Sequence, residues 1–363
     1  MTHCSHFGVC GGCAVDDRNA IDKSSLVGAA LAKAGYSDAG PVPLVAIDAG
    51  TRRRVDLGVV RQAGVIVLGL HRAGGHGAGG PEIVDMQECR VLLPQIFALL
   101  GPIRLLLRHL EALRRQGAVM INWLDAGPDI LLAMDAPFTG PDKTKIIAFA
   151  RAIGALRVSI AVGDDLAEPA VILAAPVIRF AGVPVEVPPG GFLQASAEGE
   201  AAIVAAVLAG LPKLTAKSRI VELFAGAGTL SFPLSQHARV EAYEGDAQAV
   251  AAHDKAIRVN NLAGRMRVTR RDLARRPLQP ADMANAAALV LDPPFAGAAA
   301  QMRFIVTARV KRIIYVSCNP DALAADAAWL CRAGYRVLTA VAIDQFAYAS
   351  MVESVTVFDS PKK

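Results

Sequence analysis

One cysteine and two acids near the carboxyl end of the chain, Cys318, Asp292 and Glu353, are residues that could do chemistry. Asp292 and Cys318 each follow a short apolar run, residues 287–291 and 313–316, which is typical of a buried parallel strand. The carboxyl ends of parallel strands meet at the ligand-binding edge of an open α/β sheet. A thiolate at that edge is a candidate nucleophile and a nearby carboxylate can handle a proton, so the pattern predicts covalent catalysis.

A small-residue turn at 225–229 indicates a cofactor site upstream of these residues. An apolar run at 218–224 precedes the turn, and a helix is expected to open at Leu230. Glycines allow the backbone to approach a ligand closely, and Glu244 at the end of the next predicted strand suits the hydroxyls of a ribose. The pattern fits either a dinucleotide or S-adenosylmethionine, although the missing third glycine of GxGxxG disfavours the dinucleotide. An ordinary tight turn is the remaining alternative.

Four of the six cysteines have spacings that suggest a metal centre. Cys4, Cys10 and Cys13 lie in a glycine-containing loop, and Cys89 follows 76 residues after Cys13. Four thiolates can complete an iron–sulfur cluster or a zinc site, and spacing alone leaves both open, together with the absence of any metal. A disulfide framework is not expected in a chain of this length that lacks an export signal.

The order of these motifs resembles that of a bacterial family of S-adenosylmethionine-dependent RNA 5-methyluridine methyltransferases that carry an iron–sulfur cluster. The segments that carry the resemblance are residues 191–194, 222–228, Glu244, Asp272, 292–294, 317–320, 344–346 and 352–353, with the cysteines at the front. Several of these motifs are common individually, but their joint order is specific and spans nearly the whole chain.

The resemblance implies a mechanism. The Cys318 thiolate would add to carbon 6 of uracil, carbon 5 would attack the methyl group, and Glu353 would then remove the carbon 5 proton. A 4Fe-4S cluster would be held by Cys4, Cys10, Cys13 and Cys89. The residues implied to hold S-adenosylmethionine are Gln194, Phe224, Gly226, Gly228, Thr229, Glu244, Asp272 and Asp292. The alternatives are that Cys318 is a core cysteine and that Glu353 is the exposed residue of an alternating strand.

The expected fold is α/β, with a Rossmann-like class I methyltransferase domain at 195–363 behind a β-rich central domain with the cysteine loop at 1–194. The predicted strands of a seven-stranded, mostly parallel sheet are 218–224, 239–243, 265–269, 287–291, 312–316, 335–343 and 351–358. Upstream, helices are expected at 21–36 and from Pro94 to about Arg115. Strands are expected from about 44 to 92, with a loop between them at 74–80, and again from 118 to 187.

Composition and charge limit the classes of protein to which the chain can belong. The chain has 363 residues, is 53% apolar and 20% charged, and has a formal net charge of +5, which permits but does not demand an RNA partner. No apolar run is long enough to span a membrane, and the first residues lack a signal-peptide layout, so a cytoplasmic monomer is expected. The family's N-terminal TRAM barrel is absent from this sequence, and with the cysteine set this resembles the subtype that acts on 23S ribosomal RNA rather than transfer RNA.

Two groups of basic residues are candidate contacts for RNA phosphates, with solvated surface as the alternative. The first comprises Arg52, Arg53, Arg54, Arg61, His71 and Arg72, and the second Arg265, Arg267, Arg270, Arg271, Arg275 and Arg276.

The chain departs from the family pattern at Phe295, where arginine is usual, and at Met351, where histidine is often found. The run 292–295 also resembles the motif of methyltransferases that act on exocyclic amino groups. That activity is the enzymatic alternative, and a non-catalytic, iron–sulfur RNA-binding protein is the alternative of another class.

Overall fold

The computed structural model describes residues 4–73, 82–215 and 217–361, whose backbone forms two large sheets and one hairpin. The strands, in chain order, are β1 (Leu44–Ala46), β2 (Arg54–Gln62), β3 (Val65–His71), β4 (Ile83–Asp85), β5 (Gln116–Leu124), β6 (Gly127–Met134), β7 (Arg157–Val162), β8 (Glu168–Ile172), β9 (Val177–Phe180), β10 (Val183–Glu186), β11 (Arg219–Leu223), β12 (Arg239–Glu244), β13 (Met266–Arg270), β14 (Ala288–Leu291), β15 (Arg312–Ser317), β16 (Arg336–Asp344) and β17 (Glu353–Asp359). The helices are α1 (Lys23–Lys33), α2 (Pro94–Arg108), α3 (Gly140–Ile153), α4 (Ala197–Ala209), α5 (Ser231–Ser235), α6 (Ala247–Val259), α7 (Pro280–Met283), α8 (Ala299–Ala308) and α9 (Pro320–Arg332).

The first sheet has the strand order β4-β3-β2-β5-β6-β7-β8 and is antiparallel except for the pairing of β6 with β7. In β2, buried Val55, Leu57 and Val59 alternate with more exposed residues, as expected for a strand with one face toward a core. These side chains pack with the apolar faces of α2 and α3 in one cluster. The first sheet therefore has its own core, whereas β1 and α1, which lie earlier in the chain, pack with the second sheet.

The second sheet has the order β1-β16-β17-β15-β14-β11-β12-β13. All seven predicted strands are present, and neighbouring strands are parallel except where β17 pairs with β15 and β16. An eighth strand, β1, lies at the start of the segment 44–92 where strands were expected, but it pairs in parallel with β16 rather than with the first sheet. A three-residue strand carries too short a pattern to predict its partner. In β14 all four residues are buried, which fits a strand covered on both faces.

Two predictions upstream are wrong. The second helix, α2, ends at Arg108 rather than near Arg115. The strands predicted throughout 118–187 are interrupted by α3, which begins with a capping box between Thr139 and Asp142 and ends at Gly154 with φ 65°. The loop predicted at 74–80 lies outside the described residues. No helix in the described ranges is long and apolar enough to cross a bilayer.

Candidate active site

The register of β15 and β17 brings Cys318 and Glu353 together. Ser317 pairs with Ser354 as the last pair of these two antiparallel strands, so Cys318 and Glu353 are the next residues along each chain. The charge of Glu353 is one of the causes, after burial, that raise the pKa of Cys318, which shows that the two groups lie within reach of each other. Cys318 lies in the turn between β15 and α9, and Asn319 caps that helix, so the thiol stands at the carboxyl edge of the sheet.

A chain of hydrogen bonds joins Glu353 to Asp292, the residue that follows β14. Gln345 Nε2 donates to Glu353 Oε2 at 2.9 Å and lies 3.1 Å from Gln194 Oε1. Gln194 Nε2 in turn donates to Asp292 Oδ2 at 3.3 Å. Among the described residues, Glu353 Oε1 is buried without a hydrogen-bond partner. The two glutamines therefore fix one oxygen of each acid, and Glu353 keeps the other oxygen available for a proton.

Burial disfavours the charged forms of the ionisable groups in this cleft. It raises the pKa of Asp292 to about 7, and together with the charge of Asp292 it raises the pKa of Glu353 well above its ordinary value. Burial, followed by the charges of Glu353 and Asp292, raises the pKa of the Cys318 thiol to about 11. The three groups therefore oppose one another's ionisation, and their charged forms become more populated as pH rises.

The small-residue turn after β11 lies beside the end of β12. Phe224 has φ 62° and Gly226 φ 53°, and a bulky residue in the left-handed region is uncommon. The Gly226 N–H donates to Glu244 Oε2 at 2.8 Å. A Cβ at Gly228 would lie 2.4 Å from the Phe232 ring, so no larger residue fits. The turn and the Glu244 carboxylate thus lie at the same edge of the sheet as Asp292.

The remaining predicted cofactor residues flank this turn. Thr229 is half-buried directly before Leu230 and α5. Asp272 follows β13, and its Oδ1 accepts the N–H groups of Ala274 and Arg275 at 3.1 and 3.0 Å. Gly245, after β12, lies against Asp272. The predicted cofactor residues thus lie at the ends of neighbouring strands, with Gln194 in the segment before α4.

Cys4, Cys10, Cys13 and Cys89 line one cavity, together with Tyr348. The Gly12 N–H donates to Cys10 Sγ at 3.4 Å, and backbone N–H groups of Val91 and Leu92 oppose the burial that raises the pKa of Cys89. In the described part of the chain, no three His, Cys, Asp or Glu side chains are arranged to coordinate a single metal ion. The four thiols are therefore neighbours around a cavity rather than a formed mononuclear site.

The first basic group is not a uniform RNA-facing surface. Arg53 is only 8% exposed, and its guanidinium contacts Glu200 Oε2 at 2.7 Å, so the prediction that it binds phosphate is wrong. Arg61 donates to the backbone carbonyls of Leu107 and Arg108 at the end of α2, which is a helix-capping role. In the second group, Arg271 is held by local carbonyls, whereas Arg265 and Arg270 are exposed.

The sequence predicted no individual role for Gln345 and only a phosphate contact for Arg53, although both contribute to the site. Gln345 follows β16 directly, and a polar side chain at the carboxyl end of a strand is the signal that could have identified it. Arg53 could not have been separated from its basic neighbours by pattern, because its partner Glu200 lies far along the chain.

Residues 189–360 match the family model described as tRNA (uracil-5-)-methyltransferase. The chain is 36% identical over 362 residues to an uncharacterized RNA methyltransferase of Brucella suis biovar 1, covering 98% of this chain and 83% of that protein. It is also 36% identical to an uncharacterized RNA methyltransferase of Mesorhizobium japonicum, covering 99% and 84%.

A crystal structure of Pyrococcus abyssi tRNA (uracil-54, C5)-methyltransferase in complex with S-adenosyl-L-homocysteine superposes with a TM-score of 0.70 and 17% identity, over 93% of this chain and 81% of that one. At that identity the likeness concerns the fold, and it confirms the predicted Rossmann-like class. The sequence relatives, which match over nearly the whole chain, extend the relationship beyond the fold. The chain therefore belongs to the RNA methyltransferase family of these relatives.

Proposed function

We propose that this protein transfers a methyl group from S-adenosylmethionine to carbon 5 of a uridine in ribosomal RNA through a covalent adduct with Cys318. The observation that carries the proposal is the register of β15 and β17, which sets a cysteine beside a buried glutamate whose second oxygen has no partner among the described residues. Carbons 5 and 6 are neighbours on one ring, so a nucleophile for one and a base for the other must stand side by side.

The Cys318 thiolate would add to carbon 6 and push an electron pair toward carbon 5, making that carbon nucleophilic. After methylation, Glu353 would take the carbon 5 proton, and the electron pair of that C–H bond would reform the double bond and expel the thiolate. Gln345, bonded to the other oxygen of Glu353, would keep the accepting oxygen aimed at the ring. Burial and the charge of Asp292 raise the pKa of Glu353, which strengthens this carboxylate as a base.

The residues at the strand ends fit S-adenosylmethionine. Glu244 would accept the ribose hydroxyl protons beside the Gly226 backbone. Gly228 keeps the turn packed against Phe232, because a Cβ there would meet the ring. Phe224, Thr229 and Asp272 would line the rest of the site. When bound, the cofactor supplies an electrophilic methyl group.

The cysteine cavity fits a 4Fe-4S cluster. Its donor set is four thiols, and backbone N–H groups point at two of the sulfur atoms, as is common around such clusters. Cys4, Cys10, Cys13 and Cys89 would be the ligands.

The test uses ribosomal RNA and transfer RNA from a strain that lacks the gene, with methyl-labelled S-adenosylmethionine. The wild-type protein should produce 5-methyluridine in 23S RNA. Cys318→Ala should give neither product nor a covalent band. Glu353→Gln should trap a gel-stable protein–RNA adduct, because methyl transfer proceeds but proton removal fails.

A second candidate, methylation of an exocyclic amino group, is favoured by the position of Phe295. This ring is 60% exposed, and the Phe295 carbonyl accepts a hydrogen bond from the side chain of Asn319, the residue after Cys318. Such an enzyme has no use for a thiol. Full turnover by the Cys318→Ala protein would rule out the uridine mechanism and establish this alternative.

A further inference from the structure

We infer that the cysteine cavity positions both glutamines of the catalytic network, so that order in the cysteine loop sets the placement of Glu353. Gln345 and Gln194 join Glu353 to Asp292, and each is attached to a separate chain segment that starts at the cavity. The inference rests on the proposed function, which gives that network its catalytic meaning.

The first connection runs from Cys13 to Gln345. The N–H groups of Ala14 and Val15 both donate to the Tyr348 carbonyl, at 2.7 and 3.1 Å. Tyr348 has φ 64° and its side chain lines the cysteine cavity. A bulky residue in the left-handed region persists only where surrounding contacts impose it, and the cysteine loop supplies two of those contacts.

The turn that contains Tyr348 is also held at its beginning, by Lys23. Lys23 Nζ donates to the Asp344 carboxylate and, at 2.8 Å, to the Phe346 carbonyl. Gln345 lies between these two anchored residues, three positions before Tyr348. Gly12 and Gln345 also line one small cavity, so the cysteine loop lies directly beside the catalytic side chain. A shift of the loop would therefore move the turn on which Gln345 depends.

The second connection runs from Cys89 to Gln194. Two residues after Cys89, the Val91 carbonyl accepts the Arg52 N–H at 3.0 Å. Arg53, the next residue, donates its N–H to the Ala195 carbonyl at 2.8 Å and its Nε–H to the Gln194 carbonyl at 3.3 Å. Cys89 is thus tied through two residues to the backbone that carries Gln194.

The two connections end on side chains that bond each other, since Gln345 Nε2 lies 3.1 Å from Gln194 Oε1. If Cys13 and Cys89 are fixed around one centre, the backbone segments that carry Gln345 and Gln194 are fixed as well. If the cysteine loop becomes mobile, both segments should become mobile. The cysteines therefore act as positioning residues for the base, without touching substrate.

Hydrogen–deuterium exchange tests this directly. In Cys13→Ser and Cys89→Ser proteins, amides in peptides covering 343–350 and 192–196 should exchange at least about tenfold faster than in the wild type, whereas those of β11 and β14 should not change. Ala14→Pro, which removes one donor to Tyr348 and leaves every cysteine in place, should accelerate exchange in 343–350 alone. Cys331→Ser, in α9, is the matched control and should change neither segment.

Steady-state kinetics provide a second readout. The cysteine variants should lose at least about tenfold in kcat, and KM for S-adenosylmethionine should rise with that loss because Gln194 is also a proposed cofactor residue. Ala14→Pro, which acts through Gln345 alone, should lower kcat and leave that KM within about twofold. Unchanged exchange in both segments, or equal acceleration in β11 and β14, would overturn the inference. Hydrogen–deuterium exchange needs no substrate, so it tests this inference even if the protein methylates no RNA. Failure of the inference and failure of the proposed function can therefore be distinguished.

Discussion

At the scale of single residues, two neighbouring buried acids, Asp292 and Glu353, determine how the active site ionises. Asp292 raises the pKa of Glu353, and both acids raise that of Cys318. The base and the nucleophile are active in their deprotonated forms, so the rate of methyl transfer should rise with pH through the region near and above pH 7.

Asp292→Asn should move this pH dependence. Removing the like charge lowers the pKa of Glu353 and of Cys318, so the midpoint of the rising limb should shift to lower pH. Single-turnover methyl transfer measured across the pH range is the check. A slower enzyme with an unchanged midpoint would show that Asp292 contributes by positioning Gln194 alone.

The sequence could indicate the reactive residues but not the contacts that tune them. Cys318 and Asp292 follow recognisable buried strands, and the register of β15 with β17 then sets the partner of Cys318. The hydrogen bond between Gln194 and Gln345 spans 151 residues. Its existence depends on the packing of two separate loops, which periodicity cannot describe.

At the scale of elements, β11 carries a buried acid of its own. Glu222 is 1% exposed, accepts a hydrogen bond from Ser231 Oγ, and has its pKa raised by burial from 4.5 to about 8. The folded protein keeps this proton over a range in which the unfolded chain has lost it. The stability that Glu222 contributes is therefore full below about pH 4.5 and is lost as pH rises toward 8, by up to about 1.4 kcal/mol per pH unit.

Glu222→Gln should abolish that dependence, because an amide of the same shape can bond Ser231 without ionising. The free energy of unfolding of the variant relative to the wild type should increase from pH 5 to pH 8. Urea unfolding at both pH values measures it, and the comparison cancels the titration of the other buried acids. An equal difference at the two pH values would mean that Glu222 is ionised in the folded protein.

Elements with a strong local pattern were predictable and those without were not. The seven strands of the second sheet are apolar runs with turn residues between them, and all are found near their predicted positions. The helix α3 was hidden because Gly140 and Pro141 begin it and its buried positions are few. Its capping box, Thr139 with Asp142, is the local signal that outweighs those residues.

At the scale of the whole molecule, a buried ion pair joins the two sheets. Arg53 directly precedes β2 of the first sheet, and Glu200 lies in α4, which packs on the second. Their side chains are 9% and 13% exposed, with 2.7 Å between Arg53 Nη2 and Glu200 Oε2. Because Arg53 also holds the Gln194 carbonyl, the contact between the sheets is part of the active site.

Replacing only one partner of this ion pair should destabilise the folded protein. Arg53→Gln or Glu200→Gln alone leaves a buried charge uncompensated and should lower the free energy of unfolding by about 3–5 kcal/mol. The double variant should lose less than the sum of the two, since neutral amides leave no isolated charge. Urea unfolding of the four proteins gives the coupling energy. The exposed pair Arg258 and Asp254, four residues apart in α6, is the control and should be worth only about 0.3–0.5 kcal/mol. A coupling energy for Arg53 and Glu200 as small as that of the control would show that apolar packing, rather than this ion pair, fixes the two sheets against each other.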